Sequence, residues 1–590
     1  MRQPSSASHF AFAWQAARAV CFAGLLALDW AGLPPSVGAQ GFPTVPGLQE
    51  GPGKPPLPSQ RPLQRPVPSP VLPPIPIPQG PEEAPSKEGL VKVFVREIRL
   101  TGNTVISDAE LLTVTAPFVN KLLTTEDLER LRLALTLYYV NRGFVTSGAI
   151  IPDQNVAEGI VTLQIIEGKL SDINIEGTEW FRQGYVRDRL ALGAGPPLNI
   201  LAMQERLQLL QQDTRIEQLN AELKPGLVRG ESALNVKVRD AQPFHGFIDV
   251  NNHQTPVVGA ERGLATLSNN NLTGNGDVIS VTYGRSLREG GVDPILDGSY
   301  SIPLTPYDTT FSAYYRRNAF VVIDEQFADL AVAAQAEIIG MSLRQPVYRT
   351  VNQELALSVS GEYIYNKTSL LGLPFNFVAG QQNGVANVSA LRFGQEWFSR
   401  TQSSVVAIRS RFTVGLNVLG ATISPGPVAD GQYFAWLGQA QLVNRFDQLG
   451  GLQVVGRADV QVANDRLFPL EQVPVGGRFS VRGYRENQLV RDNAFLASVE
   501  GRYPVLRSAQ GDDILQMAAF TDYGQAWNAK GSTQDPQFLA SVGLGLRWAV
   551  LPNDRARAEL YWGVPLNHVD HPKGNLQDHG LHFQVVVQAF

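Results

Sequence analysis

The residues that could do chemistry are few, and they are not spaced like a catalytic centre. Four histidines, His568, His571, His579 and His582, cluster near the C-terminus. Their spacings match no zinc-ligand pattern, so they read as solvated loop histidines and no metal is expected. No Ser/His/Asp arrangement stands out, and no glycine-rich loop has the spacing of a nucleotide site. The one cysteine, Cys21, lies in the N-terminal apolar segment, so the rest of the chain has no disulfide or thiol chemistry. No cofactor and no enzymatic activity are expected. Two clusters of charged residues and glycines remain. One runs Val475-Gly476-Gly477-Arg478-Phe479-Ser480-Val481-Arg482-Gly483-Tyr484-Arg485-Glu486, and the other is Phe520-Thr521-Asp522-Tyr523-Gly524. As a strand, the second puts Phe520, Asp522 and Gly524 on one face and Thr521 and Tyr523 on the other.

Bulk properties limit what could position these clusters. Lys+Arg 49 against Asp+Glu 54 gives a net charge of −5 over 590 residues, so no nucleic-acid partner is expected. Mean hydropathy is −0.08, and the body of the chain has no apolar run of the roughly 20 residues a membrane helix needs. A β-barrel escapes that test, because its strands alternate lipid-facing and lumen-facing residues. Residues 1–39 resemble an export signal: Arg2 and Arg18 precede an apolar run over 19–28, and Val37-Gly38-Ala39 offers a cleavage site before Gln40. Cys21 precedes most of that run, which argues against a lipid-anchored cysteine. The linker over 40–92 is dominated by proline from 41 to 86. Such sequence forms neither helix nor central strand and reads as an extended tether, with a ligand for a partner domain as the other reading.

Two mixed units follow, over 93–168 and 169–241, each reading β-α-α-β-β. In the first, 93–100 is a strand and 108–114 a short helix. Thr124 then caps a helix in which Leu128, Leu131, Leu135 and Tyr138 share a face, Gly143 ends that helix, and strands lie near 145–151 and 159–166. In the second, 170–175 is a strand and 186–192 a short helix. Asn199 caps a longer helix with Ile200, Met203, Leu207 and Leu210 on one side, and strands near 216–223 and 233–238 close the unit. The repeated order is an internal-repeat signal. From 242 to 590 two-residue alternation takes over. Ala497, Val499 and Tyr503 oppose Ser498, Glu500 and Arg502, and Ala558, Leu560, Trp562 and Val564 oppose Glu559, Tyr561 and Gly563. Apolar-out and polar-in alternation over many long segments fits a transmembrane antiparallel β-barrel, and roughly 22 residues per strand and loop gives about 16 strands. Counting back from the C-terminus places both termini of the barrel on the periplasmic side. The connection over 464–493 then begins on the extracellular side.

That connection, with its Val481-Arg482-Gly483-Tyr484, and the Phe520-x-Asp522-x-Gly524 strand after it resemble the two hallmark motifs of the barrel-assembly and two-partner secretion superfamily. The paired units resemble POTRA domains. With only two of them, residues 93–590 look like the two-partner secretion transporters of the hemolysin secretion/activation type. The resemblance implies a bacterial outer-membrane pore with periplasmic POTRA-like domains. They would capture an unfolded exoprotein, by strand addition to a sheet edge, for the barrel to pass to the cell surface. A barrel-assembly factor of the same superfamily is the alternative. The partners implied are a secreted exoprotein as cargo, outer-membrane lipid, and the barrel-assembly machinery during biogenesis. The resemblance also implies that the loop folds back into the barrel, so that Arg482 meets Asp522 on the inner wall, where a planar guanidinium can grip a carboxylate with two parallel bonds. Two features depart from the family. Its members often carry an N-terminal plug helix, but here the sequence ahead of the first unit is proline-rich and shows no amphipathic helix. Phe590, the terminal aromatic of a barrel-insertion signal, falls on the opposite parity from Leu581, Phe583, Val585 and Val587, and a bulge near Gln588 would reconcile them.

Overall fold

The computed structural model describes Leu72 and residues 92–590, apart from 157, 289–290, 324–329, 510, 552–554 and 570–573. The expected export signal, the possible plug position, His571 and nearly all of the proline-rich segment lie outside these residues.

The first unit comprises β1 (Lys92–Val95), β2 (Glu97–Thr101), α1 (Asp108–Thr115), β3 (Lys121–Thr124), α2 (Thr125–Val140), β4 (Gly148–Ile150) and β5 (Ile160–Ile166). The sequence reads one strand over 93–100, but the chain bends at Arg96 and changes partner. β1 pairs with β3, a short strand with no clear sequence signal, whereas β2 runs parallel to β5. The Arg96 and Glu97 N–H groups both donate to the Gly159 carbonyl, which fixes the bend. Thr124 caps α2 as expected. Its hydroxyl accepts from the Asp127 N–H, and Asp127 reaches back to the Thr124 N–H, so two donors that the helix leaves free are satisfied. Leu131, Leu135 and Tyr139 of α2 are fully buried against β5.

The second unit follows the expected order: β6 (Lys169–Glu176), α3 (Gln183–Ala191), α4 (Ile200–Gln211), β7 (Ile216–Pro225) and β8 (Glu231–Asp240). Both units share one three-stranded sheet plan, in which β2 of the first unit and β6 of the second run parallel to the last strand, β5 or β8, and that last strand runs antiparallel to the one before it. The Asn199 side chain caps α4 by accepting from the Leu201 N–H at 2.9 Å.

The barrel starts at β9 (Phe244–Asn251) and closes when the last strand, Leu581–Gln588, pairs antiparallel with β9. Sixteen long antiparallel strands form it among the described residues, with a two-residue strand at Leu373–Pro374 as an extra. Alternation places Val499, Leu544, Leu546, Trp548, Leu560 and Trp562 on the exposed outer surface, and Asp459, Glu500, Asp522, Ser541 and Gln584 in the buried interior.

Phe590 reaches the outer face through a two-against-one pairing. The Gly246 carbonyl accepts from the Ala589 N–H (2.8 Å), while the Gly246 N–H donates to the Phe590 carbonyl (3.2 Å). A Cβ on Gly246 would lie 2.8 Å from the Phe590 ring, and Gly246 has the parity of the exposed Phe244 and Ile248.

The second unit touches the turns at one end of the barrel. Arg189 binds Asp308 through two donors, at 2.6 and 3.1 Å, and Arg349 of the barrel holds the same carboxylate. Gln212 donates to the Val351 carbonyl at 3.0 Å, the Arg182 N–H donates to Gly274, and Trp180 meets Phe244 edge-on.

Candidate functional site: the loop clamped inside the barrel

Between the strands Leu452–Ala463 and Asn493–Arg507 the chain turns into the barrel. Val473–Val475 and Leu489–Arg491 pair as a small hairpin, and the Val481-Arg482-Gly483-Tyr484 motif lies in the loop between them. Arg482 is 3 % exposed and Asp522 2 %. The Arg482 Nε lies 2.7 Å from Asp522 Oδ2 and its Nη2 2.7 Å from Oδ1, a bidentate fork, and the Arg482 backbone N–H adds a third bond at 3.0 Å. The Ser498 hydroxyl donates to Asp522 Oδ1 at 2.6 Å, and the Arg482 Nη1 binds Glu500. The guanidinium carbon stands 3.5 Å from the Phe520 ring centroid.

The other motif residues fit around this contact. Gly483 has φ +93°, and a Cβ there would lie 2.8 Å from the Gly563 backbone, so only glycine allows the loop to touch the wall. Gly524 opens room for Val475 and Val481, which its Cβ would meet at 2.6 and 2.8 Å. Val481 is fully buried in that cluster, with Tyr484 beside it. The Tyr484 hydroxyl sits 2.9 Å from the Ala540 carbonyl and 2.5 Å from Asn567 Oδ1.

Several residues of the site were not singled out from sequence. Glu500 accepts from Arg482, Arg502 and Tyr561. Arg478 and Arg547 share Glu559, at 2.7 and 2.8 Å. On the far side of the loop, Arg392 binds both Glu362 on the wall and Glu471 in the loop, a second clamp the motifs do not mark. The available signal was strand parity, which puts Ser498, Glu500, Glu559, Tyr561 and Gly563 on the polar face. Depth along each strand comes only from register, with Ser498 opposite Asp522 and Glu500 opposite Phe520.

The histidine cluster needs correction. His582 is not a solvated loop residue. It lies on the last strand with the inward parity of Gln584, is fully buried, and its Nε2 accepts from the Gly483 N–H at 3.3 Å. Among the described residues no group of three or more His, Cys, Asp or Glu could hold a metal ion.

Comparisons with known proteins agree with this architecture. The family model for haemolysin secretion/activation protein ShlB/FhaC/HecB matches residues 230–548, and that for the ShlB-type POTRA domain matches 93–168. The outer membrane transporter CdiB of Dickeya dadantii (strain 3937) is 22% identical over 486 residues, which cover 80% of this chain and 83% of that protein. The heme/hemopexin transporter protein HuxB of Haemophilus influenzae (strain 86-028NP) is 25% identical over 257 residues, 43% of this chain and 45% of that protein. Among solved structures, CdiB from Escherichia coli superposes with a TM-score of 0.65 at 22% identity, covering 87% of this chain and 94% of that one. BamA from Haemophilus ducreyi lacking POTRA domains 1-3 shares the fold at a TM-score of 0.50 and 13% identity, covering 84% of this chain and 99% of that one. The family model runs through the wall strands and the clamped loop alike. The chain therefore belongs to the haemolysin secretion/activation family, the outer-membrane transporters of two-partner secretion, and sits in the bacterial outer membrane with POTRA domains in the periplasm.

Proposed function

We propose that residues 464–493 form the element that sets the state of the pore, and that Val481, Arg482, Gly483 and Tyr484 hold it against Phe520, Asp522 and Gly524 on the wall. The observation that carries this reading is the buried Arg482–Asp522 fork backed by Glu500. Two clamps on opposite sides, at Arg482 and Arg392, tie one loop to distant strands. A passive pore has no need to bury so many charges in a loop.

In this reading the exported partner arrives unfolded, is taken up at exposed edges of the POTRA sheets such as β6, and passes outward along the polar lumen. No covalent chemistry, cofactor or nucleic acid takes part, and the driving force is binding inside followed by folding of the cargo outside. Phe590, on the outer face beside Gly246, suits recognition by the barrel-assembly machinery during biogenesis, and the belt of Trp548, Trp562 and Leu560 suits lipid.

The test is co-expression with a candidate secreted exoprotein from the same genome, comparing parent with Arg482→Ala. The expected result is a heat-resistant barrel in both and strongly reduced surface delivery in the variant. Normal delivery by the variant would remove the clamp from the mechanism. Copurification with many barrel precursors instead of one exoprotein would favour the barrel-assembly reading.

A further inference from the structure

Leu72 lies in sequence that reads as a bare tether, yet it is 6 % exposed and belongs to the hydrophobic cluster of the second unit, with Met203, Leu207 and Leu210 of α4. Its backbone N–H donates to the Gln204 Oε1 at 3.0 Å, across 132 residues of chain. A spacer has no reason to bury a leucine in a domain that follows it by about a hundred residues.

The local sequence explains why this leucine can dock. It reads Pro70-Val71-Leu72-Pro73-Pro74. A residue before proline is held in extended or polyproline geometry, so little backbone freedom remains to be lost on binding. Prolines bring no N–H, so docking leaves few donors to satisfy, and the Leu72 amide finds its acceptor in Gln204. Pro70, Pro73 and Pro74 lack the N–H that a strand ladder needs, so this sequence is unsuited to regular strand addition. Burying one leucine favours the docked state by only about ten- to a hundredfold. That is enough for a tethered ligand, whose effective concentration is high, and weak enough for a competitor to displace.

We propose that the second unit carries a groove beside α4 for an extended, leucine-anchored segment, that the chain's own Leu72 occupies it at rest, and that the exported partner displaces Leu72 with a segment of the same chemistry. The displacement step rests on the transport reading above; the docking step does not. α4 also bears on the barrel, because Gln212 at its C-terminal end donates to the Val351 carbonyl of a barrel turn. Occupancy of the groove is therefore sited close to the entrance of the pore. Gln204 and Gln212 are eight positions apart along α4 and its cap, a rise of about 12 Å.

The experiment uses the full chain in outer membranes, in a Cys21→Ala background and without any exported partner. Leu72→Cys with Gln204→Cys is expected to form a reducible disulfide at several times the yield of Leu72→Cys with Glu222→Cys, where Glu222 is exposed on β7. Equal yields from the two pairs overturn the docking. A second measurement uses the purified full-length protein and a fluorescent synthetic peptide with the sequence of residues 68–78. Leu72→Ser protein should bind it with roughly tenfold lower Kd than the parent, whose groove is filled. Equal affinity overturns the docking as well. With the partner co-expressed, the oxidised cysteine pair should secrete less than the same pair under a reductant. Unchanged secretion by the locked form overturns the displacement step. If the parent itself delivers no partner to the surface, the transport reading fails instead, whatever the partner-free disulfide yields show.

Discussion

Arg482 and Asp522 illustrate how much a single contact inside a barrel can decide. Removing one member of a buried ion pair leaves the other charged and unpaired, which costs about 3–5 kcal/mol. Arg482→Ala and Asp522→Ala should each cut secretion more than barrel insertion. The double variant should be little worse than either, because both changes delete one contact. Secretion assays together with the heat-shifted barrel band measure the two quantities, and strictly additive losses would mean the residues act apart. Arg482→Lys should not rescue, since an ammonium cannot make the two parallel bonds seen at 2.7 Å. The Gly563 position makes the same point without belonging to a motif. A methyl group there would lie 2.6 Å from the Gly483 nitrogen, so Gly563→Ala should disturb the loop as much as Gly483→Ala does. A lowered temperature for loss of the folded band in both variants is the expected outcome. Unaltered Gly563→Ala protein would show that the wall can give way.

At the scale of elements, the first POTRA unit stands on its own core and its own polar contacts. Burial pushes Glu167 up, but hydrogen bonds from the Thr104 hydroxyl, the Thr104 and Val105 N–H groups and Tyr139 outweigh it and hold the carboxyl below its ordinary value of 4.5. A depressed carboxylate lends stability above its unfolded value, and that stability fades as pH falls towards the folded value. Glu167→Gln should therefore flatten the acid-side loss of amide exchange protection in α2 of the full-length protein; an unchanged slope would assign the acid sensitivity to another group. The unit as a whole has a separate test. Deleting residues 93–168 should abolish secretion while the barrel still forms, because the strands of the barrel pair only among themselves. Secretion near parental levels would remove the first unit from cargo capture.

Among the described residues, the interior of the barrel is occupied by the chain's own loop, and turns at one end of the barrel bear on the second unit. Asp308, held by Arg189 from that unit and by Arg349 from the barrel wall, is a charged contact between them. Asp308→Ala should increase protease cleavage between residues 241 and 244 without loss of the heat-resistant barrel. Equal cleavage in parent and variant would show that the remaining contacts at Gly274 and Val351 suffice. Deleting residues 56–70 with Leu72 retained should leave assembly and secretion near normal, and the heat-shifted barrel band with a secretion assay measures both; loss of the folded barrel would give those residues a structural role.

Much of this was legible from the sequence because it depends on period and on local chemistry. Alternation over residues 497–503 and 558–564 required a sheet with one apolar and one wet face, and helical spacing with the Thr124 and Asn199 caps fixed the long helices of the two units. Parity alone turned Asp522 inward. What parity cannot give is depth and partner. Ser498 and Glu500 meet Arg482 only because antiparallel register sets them opposite Asp522 and Phe520. Arg392 and Glu471 meet, 79 residues apart, only because the loop folds back through the lumen. The bend at Arg96, which splits one apolar run between two sheets, and the burial of His582 and Leu72 follow from neighbours that the sequence brings close only in the finished fold. Local residues fix which face a side chain presents; the closure of the barrel and the return of the loop decide what that face meets.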